Sequence, residues 1–282
     1  MKKVDFEKVV YELARDANTV LRQDVLRLIK RAYLSEKAKG PKSALGVILE
    51  NAKDAVAKKY AICQDTGLPI VFLEVGRDIE VDFCVITSIN RGIIKAYKKE
   101  GFRASTIEPF SDRIGINPEI IHLEFVKRRG LKITVFPKGF GSENKSRLKM
   151  FNPTVCQEDI FRFVVEAVKD AGPGACPPFF VGVGIGGTSD GALLLAKKAL
   201  LERVDKPNKS LLMCRWEKEL LKRINSLKIG PMGMGGRFTA LAVKIKRGPT
   251  HIAGLPVGIN ISCHALRSAS IHIRVERLAD SG

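Results

Sequence analysis

The spacing of apolar residues changes character near residue 60, and that change sets the fold class. Before it, Val9, Val10, Leu13, Ala17, Leu21, Val25, Leu28 and Ile29 recur every three or four positions, the stripe a helix turns toward a core. Gly40-Pro41 reads as punctuation, and a second amphipathic stretch runs from Ser43 to about Lys59. Beyond it the apolar residues gather into short strand-like runs, Pro69 to Val75, Ile79 to Ile86, Glu119 to Val126 and Leu131 to Phe136, with a helical stretch from Arg91 to Glu100 among them. Helices are predicted from about Thr154 to Lys169, Ser189 to Leu201 and Ser210 to Ser226, and strands over Phe179 to Ile185, Phe238 to Ile245 and Leu255 to Ile261. No internal repeat is present. The expectation is a mixed α/β fold in one domain over residues 1–282, with a helical part over 1–60 and an α/β body over 61–282.

A chain of 282 residues with 45% hydrophobic and 28% charged residues can bury a sizeable core. The N-terminal sequence carries Asp5 and Glu7 where a secretory signal needs an unbroken apolar run, and no stretch reaches the roughly 18 apolar residues of a membrane span. A cytoplasmic location is therefore expected, where the six cysteines serve as thiols, metal ligands or nucleophiles and not as a disulfide framework. The formal net charge of +18 invites an anionic partner. The basic residues are dispersed among acids from Lys2 to Arg277 and aromatics make up only 7%, which argues against a basic nucleic-acid-binding module. A solvated basic surface and one that gathers dianionic substrate or docks an acidic partner both remain open.

Three cysteines stand in turn-like settings at the ends of apolar runs: Cys63 in CQDTGLP, Cys176 in GPGACPP and Cys263 in NISCHA. The prolines after Cys176 bias it toward an extended backbone and stiffen its loop, and Gly67 and Pro69 act similarly after Cys63. The three lie too far apart in sequence for a local zinc ribbon or a ferredoxin-type string, so on spacing alone the signal is weak and a buried free thiol is the better reading of each. Cys84, in the alternating run IEVDFCVI, Cys156 near a helix start and Cys214 within a helix fit that plainer reading better. Gly182, Gly184 and Gly187 spell a G-x-G-x-x-G with Glu202 twenty residues past Gly182, which raises a nucleotide-binding dehydrogenase as an alternative. Its first two glycines fall inside the apparent strand, and no βαβ series surrounds them. Gly186, Gly187 and Thr188 could instead offer backbone N–H groups at a helix start. IGPMGMGGRFTA lacks a phosphate-loop lysine, and PKGFGSENKSRL, with Ser142, Asn144 and Lys145, reads as either a polar binding loop or a solvated one.

Taken together, CQDTGLPIVFLEVG, KGFGSENKSRL, ACPPFFVGVGIGGTSDGALLLAKKAL, IGPMGMGG and LPVGINISCHALR resemble, in order, the motifs of class I fumarate hydratases and the related L-tartrate dehydratase alpha subunits, over roughly Ala61 to Arg267. The resemblance implies a 4Fe-4S cluster held by Cys63, Cys176 and Cys263, with the fourth iron lacking a protein ligand and open to substrate oxygen. It implies a hydro-lyase that reversibly hydrates fumarate to malate, or acts on tartrate. Gln64 and Asp65 would lie beside the cluster as catalytic and substrate-binding residues, Arg103 would grip a carboxylate of the small dicarboxylate substrate, and the N–H of Gly141 would face substrate. The plainer readings are that Asp65 caps a turn and Arg103 forms an ion pair on the surface. Two positions depart from the pattern: Met232 stands where related sequences can carry Gln, and Phe140 interrupts a triple-glycine form of its loop. The family's second half, which carries the catalytic base and further cationic ligands, does not follow the third cysteine here, so a separate beta subunit is expected to supply it.

Overall fold

The computed structural model describes residues 4–116 and 120–274. In chain order these form α1 (Phe6–Thr19), α2 (Gln23–Ser35), α3 (Lys39–Lys58), β1 (Leu68–Gly76), α4 (Phe83–Lys99), β2 (Thr106–Ile107), β3 (Ile114–Gly115), β4 (Ile120–Val126), β5 (Leu131–Lys138), α5 (Phe140–Glu143), β6 (Arg147–Phe151), α6 (Gln157–Ala171), β7 (Phe179–Gly187), α7 (Ser189–Leu201), α8 (Leu211–Asn225), β8 (Ala240–Thr250), β9 (Leu255–Ser262) and β10 (Ala269–Ile273). The fold is mixed α/β, with helices first and sheets after them, as the change of apolar period predicts. The chain divides into two compact units, one of residues 1–22, 55–138 and 267–282 and one of residues 23–54 and 139–266, so the N-terminal helices are shared between them. No helix among the described residues is long and apolar enough to cross a membrane.

The first unit is built on a four-stranded sheet in the order β10-β5-β1-β4, with β1 parallel to β4 and the other pairings antiparallel. Helices α1 and α4 cover it. Val10, Leu13 and Ala14 of α1 and Ile89, Ile93, Ala96 and Tyr97 of α4 pack with Val71, Leu73 and Val75 of β1 and Ile133 and Val135 of β5. The run Ile79 to Ile86, predicted as a strand, instead leads into α4. Its alternation imitates a strand, but Asp82 accepts a hydrogen bond from the Val85 amide at 2.9 Å and caps the helix, whose apolar residues then recur at helical spacing. Residue 119, the first of a predicted strand, lies outside the described residues; the strand is present from Ile120.

The second unit holds a sheet in the order β6-β9-β7-β8, with β7 parallel to β8 and antiparallel to β9. Phe179, Val181 and Val183 of β7 and Val257, Ile259 and Ile261 of β9 face a core completed by α6 and α8. The alternate residues face α7. A Cβ placed on Gly184 would stand 2.0 Å from the Ala192 carbonyl oxygen, and one on Gly182 would stand 2.2 Å from that of Ala196. The first two glycines of the dinucleotide-like fingerprint are therefore explained by helix-on-strand packing. Gly40-Pro41 does not interrupt the helices but lies in the first turn of α3, where a proline has no intrahelical N–H bond to lose.

Candidate active site

In the first unit, residues 62–67 form a turn held from several sides. The Ile62 amide donates to the Asn18 carbonyl at the end of α1 at 2.8 Å. The Tyr97 hydroxyl, buried on α4, lies 3.0 Å from the Thr66 carbonyl oxygen and 2.8 Å from that of Gly67. Burial pushes this phenol's pKa up to about 12, so it stays a donor. Gly67 adopts φ 75°, and a Cβ there would stand 2.9 Å from the Lys138 main chain, so only glycine fits the turn. Asp65 Oδ1 accepts from the Gly67 amide at 3.0 Å, the turn-capping arrangement the plainer reading anticipates. Arg267 Nη2 donates to the Asp65 main-chain carbonyl. Cys63 is half-buried and Gln64 is exposed.

Arg103 is brought to the same turn through its backbone. Its amide donates to Thr66 Oγ1 at 3.0 Å, a contact across 37 positions of sequence. The guanidinium is exposed and has no hydrogen bond or ion pair among the described residues. Gly67, Tyr97, Arg103, Ser105 and Thr106 line a shallow depression there. The structure thus gathers Cys63, Gln64, Asp65 and Arg103 around one turn, and leaves the Arg103 fork unspent on the fold.

The second unit gathers Cys176 and Cys263. Cys176 is separated from the start of β7 only by Pro177 and Pro178, Cys263 directly follows the end of β9, and those strands are antiparallel neighbours paired from Phe180↔Ser262. The two loops are joined by main chain: the Cys176 carbonyl accepts from the His264 amide at 3.2 Å and lies 3.1 Å from His264 Nδ1. Cys176 is not extended as its following prolines suggest. It has φ 56° and ψ 65°, the left-handed region, after a 3₁₀ turn over Pro173–Ala175 that its own amide closes onto the Pro173 carbonyl at 3.1 Å. The next turn packs on this loop, with the Met232 amide donating to the Pro177 carbonyl at 2.8 Å. Met232 is itself left-handed, at φ 53°.

Gly141 lies in α5, exposed, with nothing within 4 Å of where a Cβ would be. Packing gives no reason for a glycine there, whereas close approach of a ligand to its backbone would. The surrounding polar loop is anchored rather than solvated: Glu143 binds Lys197 and accepts from Asn260 Nδ2 at 2.7 Å. Sequence reasoning left out Tyr97, Thr66, His264 and Arg267, although the last two sit inside the quoted NISCHALR stretch.

Of the six free cysteines, Cys84 and Cys156 are exposed, and Cys156 Sγ donates to Asp159 Oδ2 at 3.1 Å. Among the described residues no three His, Cys, Asp or Glu side chains converge as ligands of one ion. An iron–sulfur cubane makes no such demand, because each thiolate binds a different corner. Cys176 and Cys263, half-buried on adjoining loops of the second unit, have the donor chemistry of two such corners, and Cys63 is half-buried on the turn of the first unit.

A family model described as fumarate hydratase (Fumerase) matches residues 7–272. A Methanocaldococcus jannaschii protein provisionally named L(+)-tartrate dehydratase subunit alpha is 43% identical, with 95% of this chain and 97% of that one aligned. A Geobacillus stearothermophilus protein provisionally named fumarate hydratase class I is 29% identical over 94% of this chain but 54% of its own length, so this chain spans about half of it. The L(+)-tartrate dehydratase subunit alpha of Escherichia coli K12 is 24% identical, over 95% of this chain and 91% of that one.

Proposed function

The chain belongs to the fumarate hydratase (Fumerase) family and is a lyase, and from that premise we propose that it is the cluster-holding alpha subunit of a hydro-lyase that reversibly hydrates fumarate to malate. In this reading Cys63, Cys176 and Cys263 hold a 4Fe-4S cluster, and a separate beta subunit completes the site. What chiefly supports it is the turn around Gly67, to which the Arg103 backbone is tied beside the Cys63-Gln64-Asp65 run while its exposed guanidinium has no partner among the described residues.

Removing water from a hydroxy-dicarboxylate needs help for a poor leaving group, a base for the carbon-bound proton and partners for two carboxylates. The chemistry a cluster of this kind supplies when bound is Lewis acidity at an iron without a protein ligand. Arg103 can bind one carboxylate through two parallel N–H bonds, and the Gly141 amide can be approached without steric interference. Gln64 and Asp65 are assigned to the substrate hydroxyl and carboxylate. Among these residues none is placed to take the carbon-bound proton, so that base and the remaining cationic ligands are assigned to the beta subunit.

Tartrate dehydration is a second reading, favoured by the name of the 43% identical Methanocaldococcus jannaschii relative. The substrates differ by a hydroxyl, and one contact to that group decides between them. The test is to produce the chain alone and with its partner subunit, reconstitute both anaerobically, and follow fumarate, malate and L-tartrate at matched iron content. The expected result is fumarate turnover by the pair and little by the chain alone. Full activity from the isolated chain would refute the two-subunit reading, and turnover of tartrate without fumarate would establish the second.

A further inference from the structure

We propose that Arg267 is a positioning residue: a buried cation that sets the main chain of the 63–67 turn, and through it the presentation of Cys63, Gln64 and Asp65. Arg267 is 3% exposed, and a buried guanidinium is costly unless its charge and donors are used. Here one Nη donates to a main-chain carbonyl, that of Asp65, and not to a side-chain carboxylate. Its Nε finds no acceptor among the described residues. A cation recruited only to join two elements would be expected to saturate its donors on carboxylates. This one spends its charge on a single peptide unit, at the residue following Gln64.

The neighbouring contacts continue the same work. The Tyr97 hydroxyl shares its single proton between the next two carbonyls, of Thr66 and Gly67, so three consecutive peptide oxygens are engaged by two buried side chains from outside the turn. With Asp65 Oδ1 returned to the Gly67 amide and Thr66 Oγ1 accepting from Arg103, the loop's main chain has little freedom left. Tyr97 is uncharged and holds by geometry. Of the two side chains that reach in from outside the turn, Arg267 carries the charge, opposed to the carbonyl dipole at the peptide that joins Asp65 to Thr66, and charge-assisted bonds of this kind are about twice as strong as neutral ones. The clamp itself stands on the contacts alone, whereas its consequence for turnover rests on the proposed function.

The variants are Arg267→Lys, which keeps the charge and shortens the reach, and Arg267→Gln, which removes the charge. In the full-length chain before cluster assembly, hydrogen exchange of a peptide spanning residues 60–70 is compared with one spanning α8. We expect exchange of the former to quicken at least tenfold in Arg267→Gln and less in Arg267→Lys, with α8 unchanged. In the reconstituted pair, kcat should fall at least tenfold with a smaller change in KM, and Lys should restore part of it. Wild-type exchange over residues 60–70 in Arg267→Lys, or in both variants, overturns the clamp, as does equal quickening over α8, which marks a general structural role. Quickened exchange with unchanged kcat overturns the positioning role. Should Arg267→Gln fail to fold, Arg267→Lys decides alone. A wild-type pair inactive on fumarate and tartrate would sink the proposed function while leaving the exchange result to judge the clamp.

Discussion

The main-chain carbonyl of Cys176 accepts a hydrogen bond from the amide of His264 at 3.2 Å, so two cysteine loops separated by some 85 residues of sequence are stitched backbone to backbone. Such a junction fixes the loops whether or not the thiols are engaged. Replacing Cys63, Cys176 or Cys263 by Ser should therefore leave a folded chain with iron reduced from about four per chain to near none after anaerobic reconstitution. Cys84→Ser, Cys156→Ser and Cys214→Ser should retain both iron and visible absorption. Iron analysis beside a circular dichroism spectrum decides, and a requirement for any of the second three would overturn the assignment.

Arg103 offers a cleaner separation of function from stability. Its amide is tied to Thr66, but its guanidinium is exposed and unpartnered among the described residues. Arg103→Lys keeps the charge and loses the bidentate fork, so kcat/KM should drop about tenfold or more while unfolding free energy changes by no more than ~0.5 kcal/mol. Paired kinetic and urea titrations measure both; unchanged kinetics would refute the role.

Gly184 makes the opposite prediction. A Cβ there meets the Ala192 carbonyl oxygen at 2.0 Å, and neither the strand nor α7 can yield without disturbing the other. Gly184→Ala should destabilise the chain by roughly 1–3 kcal/mol, as overpacking of an interior does. Gly174→Ala, where a Cβ meets nothing within 4 Å, should be close to neutral and serves as the control in the same thermal melts.

Acid sensitivity should concentrate at Asp205. Its side chain is largely buried and bonded by Arg203 at 2.9 Å and Arg27 at 2.8 Å, and these bonds, that of Arg203 foremost, hold its carboxyl well below the usual carboxylate range. A depressed folded-state pKa means the stabilisation is complete above the unfolded value, near ~3.9, and is lost as pH falls toward the folded one. Asp205→Asn should thus lower stability at pH 7, with the difference from wild type narrowing below about pH 4. Denaturant midpoints across that range test the sign; a constant difference would contradict it.

Much of this architecture is written in local signals. β1, β7, β9, α7 and α8 lie where apolar runs are bounded by glycine, proline or capping residues. The error at Ile79 to Ile86 arose because alternation and a helix start look alike until Asp82 is recognised as a cap. β6 and β10 are only five residues long and carry mostly exposed side chains, so pairing alone defines them. Cys176 is left-handed where it closes a 3₁₀ turn onto the Pro173 carbonyl, and its own carbonyl meets the distant His264 amide, a contact no local preference encodes. The candidate site is legible in the same partial way. Cys63, Gln64 and Asp65 advertise themselves by a loop of unusual composition, whereas the neighbourhood of Arg103 depends on a hydrogen bond spanning 37 positions, and nothing near Tyr97 or Arg267 announces a partner.

The glycine seam beneath α7 bears on how this protein can vary over time. β7 and β9, joined as ladder neighbours at a spacing of ~4.8 Å, emerge at one end of their sheet as the Cys176 and Cys263 loops, while Gly182, Gly184 and Gly258 press their backbones against the helix. The separation of those loops is set by the ladder and pinned by the bond from the His264 amide to the Cys176 carbonyl. Drift in the loop sequences can alter what surrounds the two thiols while leaving their interval nearly constant. By contrast, gain of a single methyl group on the seam would shift the interval itself, so lineages diverging in substrate should vary at the loops and stay frozen where the strands meet α7.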